Sequence, residues 1–285
     1  YFDPFVRSGL KSGGAWMNEF RNRSSRQKLA CCSGLSSEHR SVRPSDQLPL
    51  AVIVTNFTPK GENGKCYLPF REVETLFHEF GHALQCMLTR VDEEDAAGIN
   101  LVEWDAVEVA SQFMENWGLD DRTGIVVPPE LKAKVLAAKN YRAASACRRQ
   151  LAFALTDMQL HDRFARPGAE IDAARVEEVN RKNFIRFGIV TVPEDRFLCS
   201  FGHIFAGGYA AGYYGYKWAE VMSCDCYGAF EEAGLDRDDE MRRLGRAYRE
   251  TVLGLGGSKS ALEVFRDFRG RDPEISSLLR QQDLV

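Results

Sequence analysis

His78 and His82 stand four residues apart in the run His78-Glu79-Phe80-Gly81-His82, with a carboxylate beside the first of them. Residues four apart on an α-helix lie about 40° from each other around the axis, so both imidazoles project from one face and can bite one ion. Zinc takes neutral imidazole nitrogens, and its catalytic sites keep one coordination position for water. Glu79, on the flank of that face, is placed to take a proton from the water as a general base. The expected chemistry is hydrolysis, with one zinc ion per chain. A purely structural zinc site is the weaker reading, because such sites are usually closed by four Cys or His ligands.

A third protein ligand is required. Cys86 is one turn beyond His82, but a further turn along a straight helix carries a side chain about 5 Å away from the ion. A carboxylate from a second helix is better placed, and Glu103, Asp105 and Glu108 are the candidates. Glu108, flanked by Val107 and Val109 near the middle of its expected helix, suits a buried, paired carboxylate; Glu103 suits a solvated helix acid.

Peptide hydrolysis passes through a tetrahedral intermediate whose oxyanion needs hydrogen-bond donors besides the metal. The run His203 to Lys217 (HIFAGGYAAGYYGYK) offers a set. Tyr209, Tyr213 and Tyr216 are spaced i, i+4 and i+7, which predicts three phenols on one helical face. Gly207 and Gly208 precede that helix and allow a mobile, close-approaching loop. Core packing is the competing reading of such a stripe, and Tyr214, on another side of the helix, is assigned to the core.

These side chains need elements to position them. Arg71 to Leu88 has no Pro and only Gly81 among glycines, with apolar residues at Val73, Leu76, Phe77, Phe80, Leu84 and Met87, which predicts a helix. Further helices are predicted over about 104–117, two over 129–163, one over 210–232, and a helix, a break at Gly254 to Gly257 and a shorter helix over 237–269. Leu50 to Thr55 is β-branched and bounded by Pro49 and Asn56, so it reads as one strand of a small sheet. Its position before the first helix suggests that an extended peptide could pair with residues 50–57. Residues 1–48 read as a loop-rich lead-in to a zinc-binding helical core over 49–285.

The bulk properties exclude several other classes. A chain of 285 residues with a net charge of −4 can bury a sizeable core, and gives no electrostatic reason to bind nucleic acid or an anionic membrane. Eight cysteines without C-x-x-C pairs or regular spacing read as reduced thiols of an intracellular protein. No run of 18 or more apolar residues is present to span a membrane. The first residues show neither a signal peptide nor an initiator Met, so the chain is expected to be an excised fragment.

Four segments, Gly13 to Met17, Phe70 to Leu88 (FREVETLFHEFGHALQCML), Glu103 to Trp117 (EWDAVEVASQFMENW) and Pro193 to Phe230, together resemble the thimet oligopeptidase family of zinc metallopeptidases, most of all its oligopeptidase A branch. The resemblance runs from Tyr1 to Val285, so the native C-terminus is expected here. It implies a mainly α, zincin-like catalytic domain with a small β-sheet, of which this chain is the C-terminal portion. The family's N-terminal helical half, one wall of a deep substrate channel, is expected to lie outside this chain. His78, His82 and Glu108 are implied as zinc ligands and Glu79 as the base. His203 and Tyr216 are implied to contact the substrate or its oxyanion, with Tyr209 and Tyr213 lining the cleft. Short unstructured peptides are the implied substrates, handled by a monomer in the cytoplasm or an organelle. Family members usually carry His or another polar residue at Cys86 and Pro at Ala110, departures that remove no ligand. The stretch between Trp117 and Pro128 is shorter than in relatives.

Two other functions fit the same residues. A dipeptidyl carboxypeptidase would need a cationic group for the substrate's free C-terminal carboxylate. A non-catalytic peptide binder would have no need of the full set of His78, Glu79, His82, Glu108, His203 and tyrosines.

Overall fold

A computed structural model describes residues 1–25, 47–61, 63–118, 127–164, 166–169 and 172–285. Most of the stretch between Trp117 and Pro128, and residues 26–46 of the expected loop-rich lead-in, lie outside these residues. The fold is mainly helical with one three-stranded sheet, as expected. The chain divides into two compact units, Tyr1–Glu103 with Glu108–Val126 and Met222–Glu274, and Trp104–Val107 with Val127–Val221 and Ile275–Val285.

In the first unit the sheet has the order β1 (Phe2–Phe5), β3 (Leu50–Phe57), β2 (Trp16–Arg21). Strand β1 runs parallel to β3, with Phe2 beside Ile53, and β2 runs antiparallel to it, with Trp16 beside Val54. Two of the three strands therefore lie in the stretch read as loop. A Pro in FDPF and the charged residues of WMNEFR hide their strand character, and both are held by pairing to a β-branched strand far along the chain. Both edges of β3 are occupied, so a peptide cannot pair with residues 50–57; that expectation is overturned.

Helix α1 (Phe70–Met87) lays one face on the sheet, where Ala83 and Cys86 pack against Ala51, Ile53 and Met17. The second helix is shorter than predicted: α2 spans Val109–Glu115, and Trp104 to Glu108 form turns. Acidic groups there serve distant partners instead of a helix. Glu103 accepts the backbone N–H of Ala261, and Asp105 accepts the Tyr214 hydroxyl at 2.6 Å.

Phe113 anchors α2. Its ring stacks on Tyr248 of α9 (Asp238–Glu250) at 4.0 Å and meets Trp117, Tyr227 and Phe230. Burying such a ring contributes roughly 1.5–3 kcal/mol. Behind it, the fully buried Asp225 accepts hydrogen bonds from Arg269, at the end of α10 (Ala261–Arg269), from Arg271 and from the Glu274 N–H.

The second unit contains α3 (Pro129–Lys139), α4 (Ala143–Arg163), α5 (Ala173–Arg186), the short α6 (Phe197–Ser200) and α7 (Gly202–Phe205), and α11 (Ser276–Gln281). Sequence periodicity passed over α5, although Asp172 caps it by accepting the Ala174 N–H. Phe153, Leu160, Phe184, Phe201, Ile204 and Tyr213 form the core of this unit. Helix α8 spans Gly215–Ala233, five residues later at its start than predicted, and contributes to both units.

Candidate metal centre

The helical spacing of His78 and His82 puts both imidazoles on the α1 face that meets α2. Their ring centroids are 5.1 Å apart and their planes are crossed at 84°. His78 Nε2 lies 3.2 Å and His82 Nε2 3.1 Å from one oxygen, Glu108 Oε2. A tetrahedral ion with bonds of about 2.0–2.1 Å holds its donor atoms about 3.3 Å apart, so each imidazole nitrogen already stands at nearly ligand-set spacing from the carboxylate oxygen, and all three atoms lie within 4.8 Å of one another. Among the described residues this is the one group of three or more His, Cys, Asp or Glu so arranged. Two imidazoles and one carboxylate suit a first-row divalent cation and leave room for further ligands.

Close helix approach makes this convergence possible. A Cβ added at Gly81 would fall 2.5 Å from the Ala110 carbonyl oxygen and 2.6 Å from Ser111 Cα. With any side chain there α2 would have to move away, taking Glu108 with it. Glu108 itself occupies the N-cap position of α2, not the helix middle expected from sequence. Its burial is as expected, and Ser111 Oγ lies 2.8 Å from the same Oε2.

Glu115 is a participant that the sequence reading missed. Its Oε1 is 2.7 Å from His78 Nδ1, so the ring is bracketed by two carboxylates. Seven residues separate Glu108 from Glu115, two helical turns, and that interval was the available signal. With the Nδ1 proton given to Glu115, Nε2 is left for a metal. Burial opposes a charge on His78, but hydrogen bonds to Glu108 and Glu115 outweigh it and push its pKa up to about 10. For Glu108, burial is likewise outweighed by His78 and His82, which hold its carboxyl well below the usual range. A metal ion must therefore displace a proton from this site.

Glu79 is buried, and its Oε2 has no hydrogen-bond partner among the described residues. Burial raises its pKa against the pull of the two histidines, and the nearby Glu108 and Glu115 add to the rise. A base needs a shift in that direction to work near neutral pH. Cys86, by contrast, is sealed in apolar surroundings on the sheet side, and burial pushes its thiol up to about 12. The six described cysteines are all free thiols.

In the second unit His203, Tyr209, Tyr213 and Tyr216 do form one cluster. The His203 ring is 5.9–6.2 Å from all three phenol rings, and Tyr209 stacks on Tyr216 at 4.6 Å. They do not share a helical face: Tyr209 and Tyr213 precede α8 in turns, and only Tyr216 is on the helix. Ala211 sits at φ +54°, left-handed backbone that costs a non-glycine residue roughly 1–2 kcal/mol and is incompatible with the predicted helix. Tyr213 belongs to the core; its hydroxyl donates to Gln150 Oε1 and burial pushes it up to about 12. Tyr214, assigned to the core from sequence, is instead 40% exposed. Gly207 and Gly208 serve close approach: a Cβ would fall 2.9 Å from His203 Cα at the first and 3.2 Å from the Trp104 ring at the second.

The model of peptidase family M3 matches residues 1–284. A probable cytosolic oligopeptidase A of Arabidopsis thaliana is 47% identical over 296 residues, covering 100% of this chain and 40% of that protein. The organellar oligopeptidase A of the same plant, assigned to chloroplast and mitochondrion, is also 47% identical, with 100% of this chain and 35% of that protein covered. The chain thus spans well under half the length of these relatives. A solved structure of PZ peptidase A with an inhibitor superposes with a TM-score of 0.60 at 16% identity, covering 99% of this chain and 43% of the other, which bears on the fold alone.

Proposed function

This chain belongs to peptidase family M3, and on that premise we propose that it is the zinc-binding, catalytic part of an oligopeptidase that hydrolyses internal bonds of short, unstructured peptides. The observation that carries the reading is the convergence of two imidazole nitrogens on one Glu108 oxygen, at 3.2 and 3.1 Å, beside a buried Glu79 oxygen without a partner among the described residues. Zinc held by His78, His82 and Glu108 would supply a Lewis acid for the peptide carbonyl and lower the pKa of water. The remaining work falls to side chains. Glu79 takes the proton from the attacking water and delivers it to the departing amine. Glu115 keeps His78 in the tautomer whose Nε2 faces the ligand set. His203, Tyr209 and Tyr216 are assigned as donors to the substrate and its oxyanion, with Tyr213, Gly207 and Gly208 shaping that surface; their clustering and the nature of their polar groups support this role. A cytoplasmic or organellar location fits the names of the relatives, and a monomer that clears short peptides is proposed with it.

The test is cleavage of quenched-fluorescent peptides of graded length, with and without chelator, as free acids and as C-terminal amides. Chelator-sensitive cleavage, restored by zinc and indifferent to the amide, is expected. A requirement for the free carboxylate would replace the oligopeptidase by a dipeptidyl carboxypeptidase. Binding without cleavage by the zinc-loaded chain would leave a non-catalytic peptide binder.

A further inference from the structure

Asp157, on α4, is fully buried, and no role assigned so far uses it. Its Oδ1 accepts the Ala211 N–H at 2.9 Å and lies 2.8 Å from His161 Nδ1; its Oδ2 accepts the Tyr213 N–H at 2.9 Å. A carboxylate out of water is costly unless hydrogen bonds replace its solvation, and here both oxygens are engaged by backbone 54 and 56 residues further along. Those two N–H groups flank the turn in which Ala211 is left-handed. The same turn carries Tyr209 on one side and leads to Tyr216 on the other.

We propose that Asp157 is a positioning residue that fixes the turn over 209–213 and thereby holds Tyr209, Tyr216 and His203 as one donor set. This rests on the reading of that cluster as facing substrate and oxyanion. Asparagine in its place keeps the shape but offers one acceptor oxygen, and turns an NH2 group toward one of the two N–H donors.

The experiment compares the full zinc-loaded chain with Asp157→Asn, Tyr216→Phe, the double variant, and Asp157→Asn/Ala211→Gly. Amide exchange at Ala211 and Tyr213 is expected to rise at least about tenfold in Asp157→Asn, with zinc content unchanged. The kcat should fall about tenfold or more, with KM within about threefold. On the Tyr216→Phe background the same change should cost no more than about twofold further, because the two act through one group. Glycine at 211 adopts left-handed backbone freely, so Ala211→Gly should restore part of the lost kcat; a carboxylate that merely stabilises the fold would not be rescued there. Fully additive losses, no rescue, or unchanged exchange would overturn the proposal. It is also decided on the wild type alone: Ala211 and Tyr213 amides exchanging as fast as that of exposed Ala210 would overturn it even if Asp157→Asn did not fold. Absence of peptidase activity in wild type would sink the function reading; activity insensitive to Asp157→Asn would sink only this inference.

Discussion

The candidate metal-binding face of α1 and α2 and the tyrosine turn ahead of α8 both gather the side chains proposed to do the chemistry, by opposite means. On α1 the helix repeat itself turns a four-residue interval into two convergent imidazoles, and Gly81 admits the second helix at contact distance. At the tyrosine turn local spacing decides little. Tyr209 and Tyr216 stack because a buried carboxylate from α4 holds the intervening backbone in a conformation that alanine does not favour. Regular structure transmits sequence interval into geometry, whereas an irregular segment takes its geometry from partners elsewhere in the chain.

If the two regions divide metal binding from donor placement, substitutions should separate them. Glu108→Ala should have the largest effect, weakening zinc by on the order of a thousandfold in competition with a chromophoric chelator and abolishing cleavage, since it removes the shared oxygen. Tyr216→Phe should leave zinc affinity unchanged and lower kcat by about a hundredfold; loss of zinc in this variant would break the comparison. Glu115→Ala should lie between the two classes, with zinc weakened about tenfold or more because His78 loses its orienting acceptor.

Much of the first region was legible in the sequence, because α1 has an apolar period and both of its histidines lie on that one helix. Glu115 escaped notice although its interval from Glu108 was in plain view. The limits of α2 were not legible, since Trp104 to Glu108 look helical and are held as turns by Asp105 and Glu103 serving distant partners. Strands β1 and β2 were hidden because their pairing to β3 is non-local. The tyrosine segment was misread because Ala210 and Ala211 suggest a helix and nothing nearby signals Asp157. Its membership of one cluster was nevertheless predicted, since a stretch so short keeps its aromatic residues close whatever the backbone does.

A smaller effect concerns the scaffold behind α2. For Asp225, burial raises the carboxyl pKa, but Arg271, the Glu274 N–H and Arg269 outweigh it and lower it below the ordinary value. A group with a lowered folded pKa contributes stability that is present above its unfolded pKa and lost as pH falls through the folded one. Thermal stability should therefore decline below about pH 4, and Asp225→Asn should be less stable at neutral pH with a flatter acid limb. Cleavage by the folded fraction at neutral pH should be unchanged.

The most direct measurement compares zinc content and peptide cleavage in wild type and Glu79→Gln. Both proteins should bind one zinc per chain, since Glu79 is not among the converging ligands, and the variant should lose about a hundredfold to ten-thousandfold in kcat, the range of general acid–base catalysis. Equal cleavage by the two zinc-loaded proteins would contradict the role of Glu79 as the base.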